Sequence, residues 1–351
     1  MKKVAVVGTV GLPACYGGFE SLVENLTLYK SNEIDYTIFC SGKSYFEKVD
    51  TYNDAKLVYL PLNANGIQSI PYDILSLIKC WFLRPDTVLI LGVSGCLFLP
   101  FFKFFSKSKI VTNIDGLEWK RDKWNKWAKK FLKFSESVAV KYSDVIITDN
   151  KAIGDYVEVE YSTENIVIAY GGDHAIIKGI DVDQEQDYYL SLCRIEPENN
   201  VKMILEAFVN SDKKLKFVGN WNSSEFGRDL KKAFSDKPNI DIIDPIYDIK
   251  QLFLLRSECK GYIHGHSAGG TNPSLVEAMH FEKPIFAFDC NFNRYSTEDK
   301  AVYFSSSQEL SDKLSEVTRD ELAVISSDMK QIAETRYTWK VINHLYEETY
   351  L

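Results

Sequence analysis

The chain has 351 residues, with 41 Lys and Arg against 49 Asp and Glu, a formal net charge of −8 that argues against a general nucleic-acid binder. Its hydrophobic content of 45% is that of a soluble globular protein, and its length accommodates two α/β domains. The longest apolar run, Val88 to Phe102, contains Gly92, Gly95 and Pro100 and stops at Lys103; a spanning helix needs about 20 apolar residues, so no integral membrane segment is expected. Lys2-Lys3 leads directly into a strand rather than into a signal peptide. Seven cysteines are scattered without a CxxC pair, several inside apolar runs, which reads as reduced buried thiols in a cytosolic protein.

The first predicted unit is a strand at Val4–Val7, a loop from Gly8 to Glu20, and a helix beginning near Gly18. The loop lacks the GxGxxG spacing of a dinucleotide fold and is too long for a tight pyrophosphate turn, which disfavours a dehydrogenase. A glycine-rich loop at this place, with Gly17 and Gly18, suits closure over a donor diphosphate. Strands follow at 36–40, 56–60, 87–91, 110–113, 145–148 and 166–168, with a helix at 69–84. Alternation of this kind predicts a doubly wound parallel sheet, with ligands at the carboxyl ends of its strands. Asp115, at such an end, is a candidate to orient or deprotonate an acceptor hydroxyl. A turn-forming Asp-Gly is the competing reading. Glu118 lies on the same side.

Residues 118–133 hold seven Lys or Arg against Glu118 and Asp122. Trp124, Trp127, Phe131, Phe134 and Val138 recur at spacings of three and four. The pattern is an amphipathic helix with one aromatic stripe and basic flanks. Trp124, Lys126, Trp127, Lys130 and Phe131 are therefore expected at an anionic membrane surface. The Phe-rich stretch just upstream, 97–105, is placed to dip in beside them. The competing reading turns the stripe toward the core and leaves the lysines in water.

After a hinge at Tyr170-Gly171-Gly172-Asp173, a second strand–helix series begins. A strand delivers Arg194, whose guanidinium suits bidentate contact with a diphosphate, and a helix runs from about Val201 to Phe208. Further strands end at Val218-Gly219-Asn220 and near Ile243. The most informative stretch is 262–289. A strand ends near His264, a glycine-rich turn spans Gly265–Gly270, and a helix starts with Thr271 or Asn272 as N-cap and Pro273 at its first position. Gly269, Gly270, Thr271 and Asn272 thus form an anion site. Glu277 lies one turn further in, as an acceptor for sugar hydroxyls. His264 and His266 read as polar lining rather than as metal ligands, because no third ligand is visible.

The string Ser-x-Gly-Gly-Thr-Asn-Pro-Ser-Leu-Val-Glu-Ala-Met, residues 267–279, resembles the donor-binding motif of retaining GT-B glycosyltransferases. Gly-Thr-x-Gly-x-Pro-Ala-x-Tyr-Gly-Gly-Phe-Glu, residues 8–20, resembles the N-terminal signature of that family's bacterial rhamnosyltransferase branch. The resemblance implies the GT-B fold: two Rossmann-like domains facing a central cleft, an acceptor domain at 1–171, a donor domain at 172–335, and a helix at 336–351 crossing back to the first domain. It makes Tyr16 and Glu20 candidates for contact with acceptor or donor. It also places the loops at Gly219 and Tyr247 around the base and ribose. Two departures stand out. The family's first motif glutamate is Gly269 here, and the lysine expected five residues after the arginine is Asn199. The implied reaction is retaining transfer, without a metal cofactor, from a nucleotide sugar to a polyprenyl-diphosphate-linked saccharide. The favoured donor is dTDP-rhamnose, with a UDP-hexose as the alternative. The expected setting is the cytoplasmic face of a bacterial cell membrane, in capsule, O-antigen or cell-wall polysaccharide synthesis. Arg194 and Asp115 are the catalytic candidates. A non-catalytic sugar-nucleotide binding protein and an epimerase of similar fold are the readings from other classes.

Overall fold

A computed structural model describes residues 1–15, 17–114, 116, 117, 119, 125–180, 182, 184–209 and 211–351. The chain forms two compact units, one of residues 1–169 with 339–351, the other of residues 170–338.

The first unit is built on strands β1 (Lys2–Val7), β2 (Ile34–Ser41), β3 (Thr51–Tyr52), β4 (Ala55–Leu60), β5 (Thr87–Leu91), β6 (Lys109–Ile114), β7 (Val145–Thr148) and β8 (Ile166–Val167). They stand in the order β3-β4-β2-β1-β5-β6-β7-β8. Every pair is parallel except the short antiparallel edge β3–β4. Its helices are α1 (Gly18–Leu28), α2 (Ser69–Leu83), α3 (Leu99–Phe105), α4 (Lys126–Tyr142) and α5 (Lys151–Tyr161). The central strands have the composition such a sheet demands. All five residues of β5, Thr-Val-Leu-Ile-Leu, are buried, because helices cover both faces of a parallel sheet. The long apolar run of the sequence divides accordingly. Its first part is β5, and its last part is α3, joined by a turn at Gly92 and a single 3-10 turn at Cys96–Phe98. Asn125 and Asn150 cap α4 and α5, each side chain accepting a hydrogen bond from a backbone N–H of the first turn.

The second unit contains β9 (Tyr189–Leu192), β10 (Leu215–Val218), β11 (Ile240–Ile243), β12 (Gly261–His264), β13 (Ile285–Phe288) and β14 (Val302–Phe304), ordered β11-β10-β9-β12-β13-β14 and parallel throughout. Its helices are α6 (Val201–Val209), α7 (Glu225–Phe234), α8 (Ile249–Glu258), α9 (Pro273–Met279), α10 (Asn291–Ser296), α11 (Ser307–Glu316) and α12 (Arg319–Arg336). Between β9 and β12 the strand order reverses direction. Loops that leave the carboxyl ends of these two strands flank a crevice, the ligand position of open α/β sheets.

The sequence reading starts the last helix at Arg336, but Arg336 closes α12, and α13 begins at Trp339 and runs to Tyr350. This helix belongs to the first unit. It buries Trp339, Ile342, Tyr346 and Tyr350. Tyr346 Oη accepts a hydrogen bond from Asn113 Nδ2 at 2.6 Å, and Asn343 Nδ2 donates to the Leu26 carbonyl at 2.8 Å. The end of the chain thereby completes the packing of α1 and β6.

Helix α4 settles the orientation of the aromatic stripe. Its buried residues are Ser135, Glu136, Ala139 and Val140. Trp127 is 80% exposed and Phe134 is 60% exposed, while Phe131 and Val138 are half-buried, so the described part of the stripe lies partly outward. Glu136 is held inside by the hydroxyls of Tyr156 and Tyr161, each donating at 2.6 Å.

Candidate functional site

The second unit brings together the two loops singled out from sequence. After β9 the chain delivers Arg194, whose guanidinium is more than half exposed and lies 3.8 Å from Glu196 Oε1. The next six residues are tied down on both sides. Ile195 N donates to Asn220 Oδ1 at 2.7 Å, and Asn199 Nδ2 donates to the Arg194 carbonyl at 2.7 Å. Asn200 Nδ2 reaches the Gly265 carbonyl at 2.9 Å. From the other loop, Ser267 N and Ser267 Oγ both donate to the Glu198 carbonyl, at 2.9 and 2.8 Å. The His266 ring closes the set, its Nδ1 2.7 Å from Asn199 Oδ1. The arginine loop and the glycine-rich loop are therefore one hydrogen-bonded body at the β9/β12 crevice.

Position 199, where the resemblance leads one to expect lysine, is thus a buried asparagine that joins the loops. Gly269 has φ 114°, a backbone conformation that suits glycine, and a Cβ there would stand 3.1 Å from His266 Nε2. Asn272 is the N-cap of α9. Its Oδ1 accepts from Ser274 N at 3.0 Å and from Ser274 Oγ at 2.7 Å. Pro273 opens the helix, Thr271 is buried, and Gly270 lies between Gly269 and Thr271 in the turn. Gly219 lets the β10 loop press against the arginine loop, since a Cβ would meet Cys193 O at 2.7 Å. Tyr247 is almost fully exposed beyond β11.

Glu277 has partners that sequence reading did not supply. Arg256 Nη2, from α8, pairs with Glu277 Oε2, and His174 Nε2 lies 3.3 Å from Glu277 Oε1. Burial alone would raise this carboxyl, but Arg256 and His174 outweigh it and hold the group below the usual glutamate range. Glu277 is consequently an ionised residue. Its role as an open sugar-hydroxyl acceptor is qualified, because both oxygens already face cations or an imidazole. A charged residue inside the apolar run Leu252-Phe253-Leu254-Leu255-Arg256 was the available signal for Arg256.

His264, at the end of β12, is buried, and its Nε2 has no hydrogen-bond partner among the described residues. Burial and the nearby His266 push its pKa well below the ordinary histidine value, so it is neutral. The rings of His264 and His266 are 6.0 Å apart, and His266 Nδ1 is taken up by Asn199.

In the first unit, Gly17 is the N-cap of α1 and Gly18 its first residue. Glu20 is buried, and Oε1 accepts from Thr9 Oγ1 at 3.0 Å and from Val10 N at 2.7 Å. It pins the glycine-rich loop instead of extending toward an acceptor. Burial raises its pKa, offset in part by the hydrogen bonds from Val10 and Thr9. Tyr72 Oη fixes the same loop by donating to Thr9 O at 2.9 Å. Tyr16, Asp115, Glu118 and Trp124 lie outside the described residues. Lys126, Trp127 and Lys130 are exposed on α4, with Lys130 Nζ 5.6 Å from the Trp127 ring centroid, and Phe131 is half-buried. Beside them a cavity of about 850 Å³ is lined by Trp119, Lys130, Lys133, Phe134 and Tyr161 among others.

Residues 1–173 match the family described as a domain of unknown function (DUF1972). Residues 173–337 match the family described as Glycosyl transferases group 1. No curated protein matches the chain at a significant level. Among solved structures, a sucrose-phosphate synthase from Thermosynechococcus elongatus superposes with a TM-score of 0.78 at 11% identity, covering 100% of this chain and 98% of that one. HepE from Anabaena, in complex with UDP, gives 0.76 at 14% identity, covering 99% of each chain. The same protein in complex with UDP-glucose gives 0.73. The chain has the GT-B fold of these structures. With the group 1 domain in its second unit, this supports a glycosyltransferase of GT-B type.

Proposed function

We propose that the chain is a retaining glycosyltransferase that moves a sugar from a nucleoside-diphosphate donor onto a lipid-linked saccharide at the cytoplasmic face of a bacterial membrane. The observation that carries this reading is the fusion of the Arg194 loop with the Gly265–Gly270 loop at the reversal point of the second sheet. That junction joins a loop carrying a half-exposed guanidinium to a glycine-rich backbone turn, a chemistry that suits a diphosphate. In the proposed reaction the acceptor oxygen bonds to the anomeric carbon while the bond from that carbon to the diphosphate oxygen breaks. The acceptor's proton passes to the departing diphosphate on the same face. Arg194 stabilises the charge that develops on the leaving group. The pair of Glu277 and Arg256 ties α9 to α8.

The favoured donor is dTDP-rhamnose, on the strength of the two signature strings, and no metal is assigned a role. UDP-hexose is the second reading, favoured by the solved HepE complexes with UDP and UDP-glucose. Membrane contact is supported by the outward face of α4, where Trp127 and Phe134 stand among Lys126 and Lys130. No helix among the described residues is long and apolar enough to cross a membrane. Binding of dTDP-rhamnose, UDP-galactose, UDP-glucose, UDP-N-acetylglucosamine and GDP-mannose, with and without Mg²⁺, tests the donor reading by calorimetry. Selective, metal-independent binding of dTDP-rhamnose is expected. Preference for a UDP-sugar would move the donor to the second reading, and binding of none would refute transfer.

A further inference from the structure

The first unit carries a second exposed apolar surface, at the corner where the end of α2 meets α3. Phe101, Phe104 and Phe105 share one face of α3 by their spacing. Together with Phe82, at the end of α2, they are between 63% and 82% exposed. Trp81 joins Phe98, Phe101, Phe104 and Phe105 into one ring cluster, and Phe82 is the neighbour of Trp81 in the chain. Trp81 packs at 5.3 Å from Phe98 and 5.8 Å from Phe105, Phe98 lies 6.1 Å from Phe101, and Phe104 touches Phe105 at 4.8 Å. A contiguous group of exposed phenylalanines, with no polar atom on any of the side chains, marks an interaction surface.

The charge around it selects the partner. From Ile74 to Lys109 the chain has five basic residues and one acid, Asp86. Asp86 is engaged, accepting from Lys3 N at 2.8 Å, and Lys103 is held by Asp144 at 2.7 Å. Lys79, Arg84 and Lys107 are exposed in the same segments of chain, with Lys79 one turn from Phe82 on α2. Protein interfaces deplete lysine, whereas phenylalanine ringed by long basic side chains is the composition of a surface seated at a lipid interface. We propose that this corner is the point at which the protein inserts into an anionic bilayer. The phenylalanines enter the acyl boundary, and Lys79, Arg84 and Lys107 meet the headgroups. The inference rests on the peripheral membrane placement proposed above and adds an apolar anchor on α2 and α3 to the contact assigned there to α4.

The test is co-sedimentation of the full chain with vesicles of phosphatidylglycerol and phosphatidylcholine, and with vesicles of phosphatidylcholine alone. The wild-type protein is expected to partition onto the anionic vesicles. Phe82→Ser combined with Phe101→Ser, Phe104→Ser and Phe105→Ser is expected to lower that partitioning by about tenfold or more. The milder pair Phe104→Ser with Phe105→Ser is expected to give an intermediate loss. Thermal melting and nucleotide binding should stay at wild-type values in both, which separates failure of the anchor from failure of the donor site. Unchanged partitioning of the fourfold variant would overturn the proposal. So would loss of partitioning in Lys126→Glu with Lys130→Glu while the phenylalanine variants still bind. Concentration-dependent dimerisation of the wild-type protein that the phenylalanine variants abolish would assign the corner to a second copy of the chain and also overturn it.

Discussion

Asn199 Oδ1 stands 2.7 Å from His266 Nδ1, while the Nδ2 of the same amide donates to the Arg194 carbonyl at 2.7 Å. The second contact fixes the first. A carbonyl can only accept, so Nδ2 must face Arg194, Oδ1 must face the histidine, and Nδ1 must carry the hydrogen. The imidazole thereby presents Nε2 toward the Gly269 turn, whose Cβ position is 3.1 Å away. Asn199→Ala removes a buried amide that satisfies both loops, at a cost of about 1–3 kcal/mol in stability. Denaturant unfolding should register that loss, and calorimetry should register weaker nucleotide binding. Asn199→Asp should restore neither, because a carboxylate cannot donate to the Arg194 carbonyl.

Arg256 is buried and Glu277 is largely so, and removing Arg256 leaves the Glu277 carboxylate with His174 alone among the described residues. Arg256→Met should destabilise the second unit by about 3–5 kcal/mol. The pH dependence has a definite sign. The Glu277 carboxyl titrates below its ordinary value of 4.5, so its contribution is fully present above that pH. It is lost as pH falls through the depressed value. Unfolding of the wild type and of Arg256→Met, followed from pH 7 down to pH 3, should show the gap between them narrowing at the acid end. A gap independent of pH would contradict the pairing.

Glu20 behaves in the opposite sense. Its carboxyl is raised above 4.5 by burial, so ionisation works against the folded state as pH rises from the ordinary value toward the raised one. Glu20→Gln keeps the carbonyl that accepts from Thr9 and Val10. It should match the wild type at pH 4 and be at least as stable at pH 7. Glu20→Ala leaves the buried Val10 N–H without this acceptor and should cost about 1–3 kcal/mol. Thermal melts of the three proteins at the two pH values check this.

Helix α13 is an integral part of the first unit. Tyr346→Phe removes the acceptor of the Asn113 amide and should cost about 1–3 kcal/mol. Deleting residues 339–351 exposes the surface that Trp339, Ile342 and Tyr346 cover and should broaden or abolish the cooperative melt of that unit.

What could be read from sequence divides along the range of the interactions. The strands of both sheets other than β3 and β14, the Asn272 cap and Pro273 at the start of α9 are local and legible from residue type and spacing. The last helix, expected from Arg336 on the resemblance, begins only at Trp339. In the structure Tyr337 instead buries its ring and donates its hydroxyl to Ser296 O at 2.9 Å. The direction of the α4 stripe was undecidable from period alone, since an inward and an outward stripe have the same spacing. It is set by Glu136, whose tyrosine partners lie 20 and 25 residues further along. The partners of Glu277, 21 residues away in Arg256 and more than 100 away in His174, have no periodic signature at all. Nor has the contact of Asn199 with His266, 67 residues apart.

The measurement that bears most directly on the central claim is calorimetric binding of UDP and dTDP to the wild-type chain and to Arg194→Ala. Arg194 is half-exposed, so its replacement should leave the melting temperature unchanged. The predicted result is nucleotide binding by the wild type and a loss of about tenfold or more in the variant, the worth of a charge-assisted contact to phosphate. Equal binding by the two proteins, or none by either, would contradict a diphosphate seat formed by the arginine loop and the glycine-rich loop.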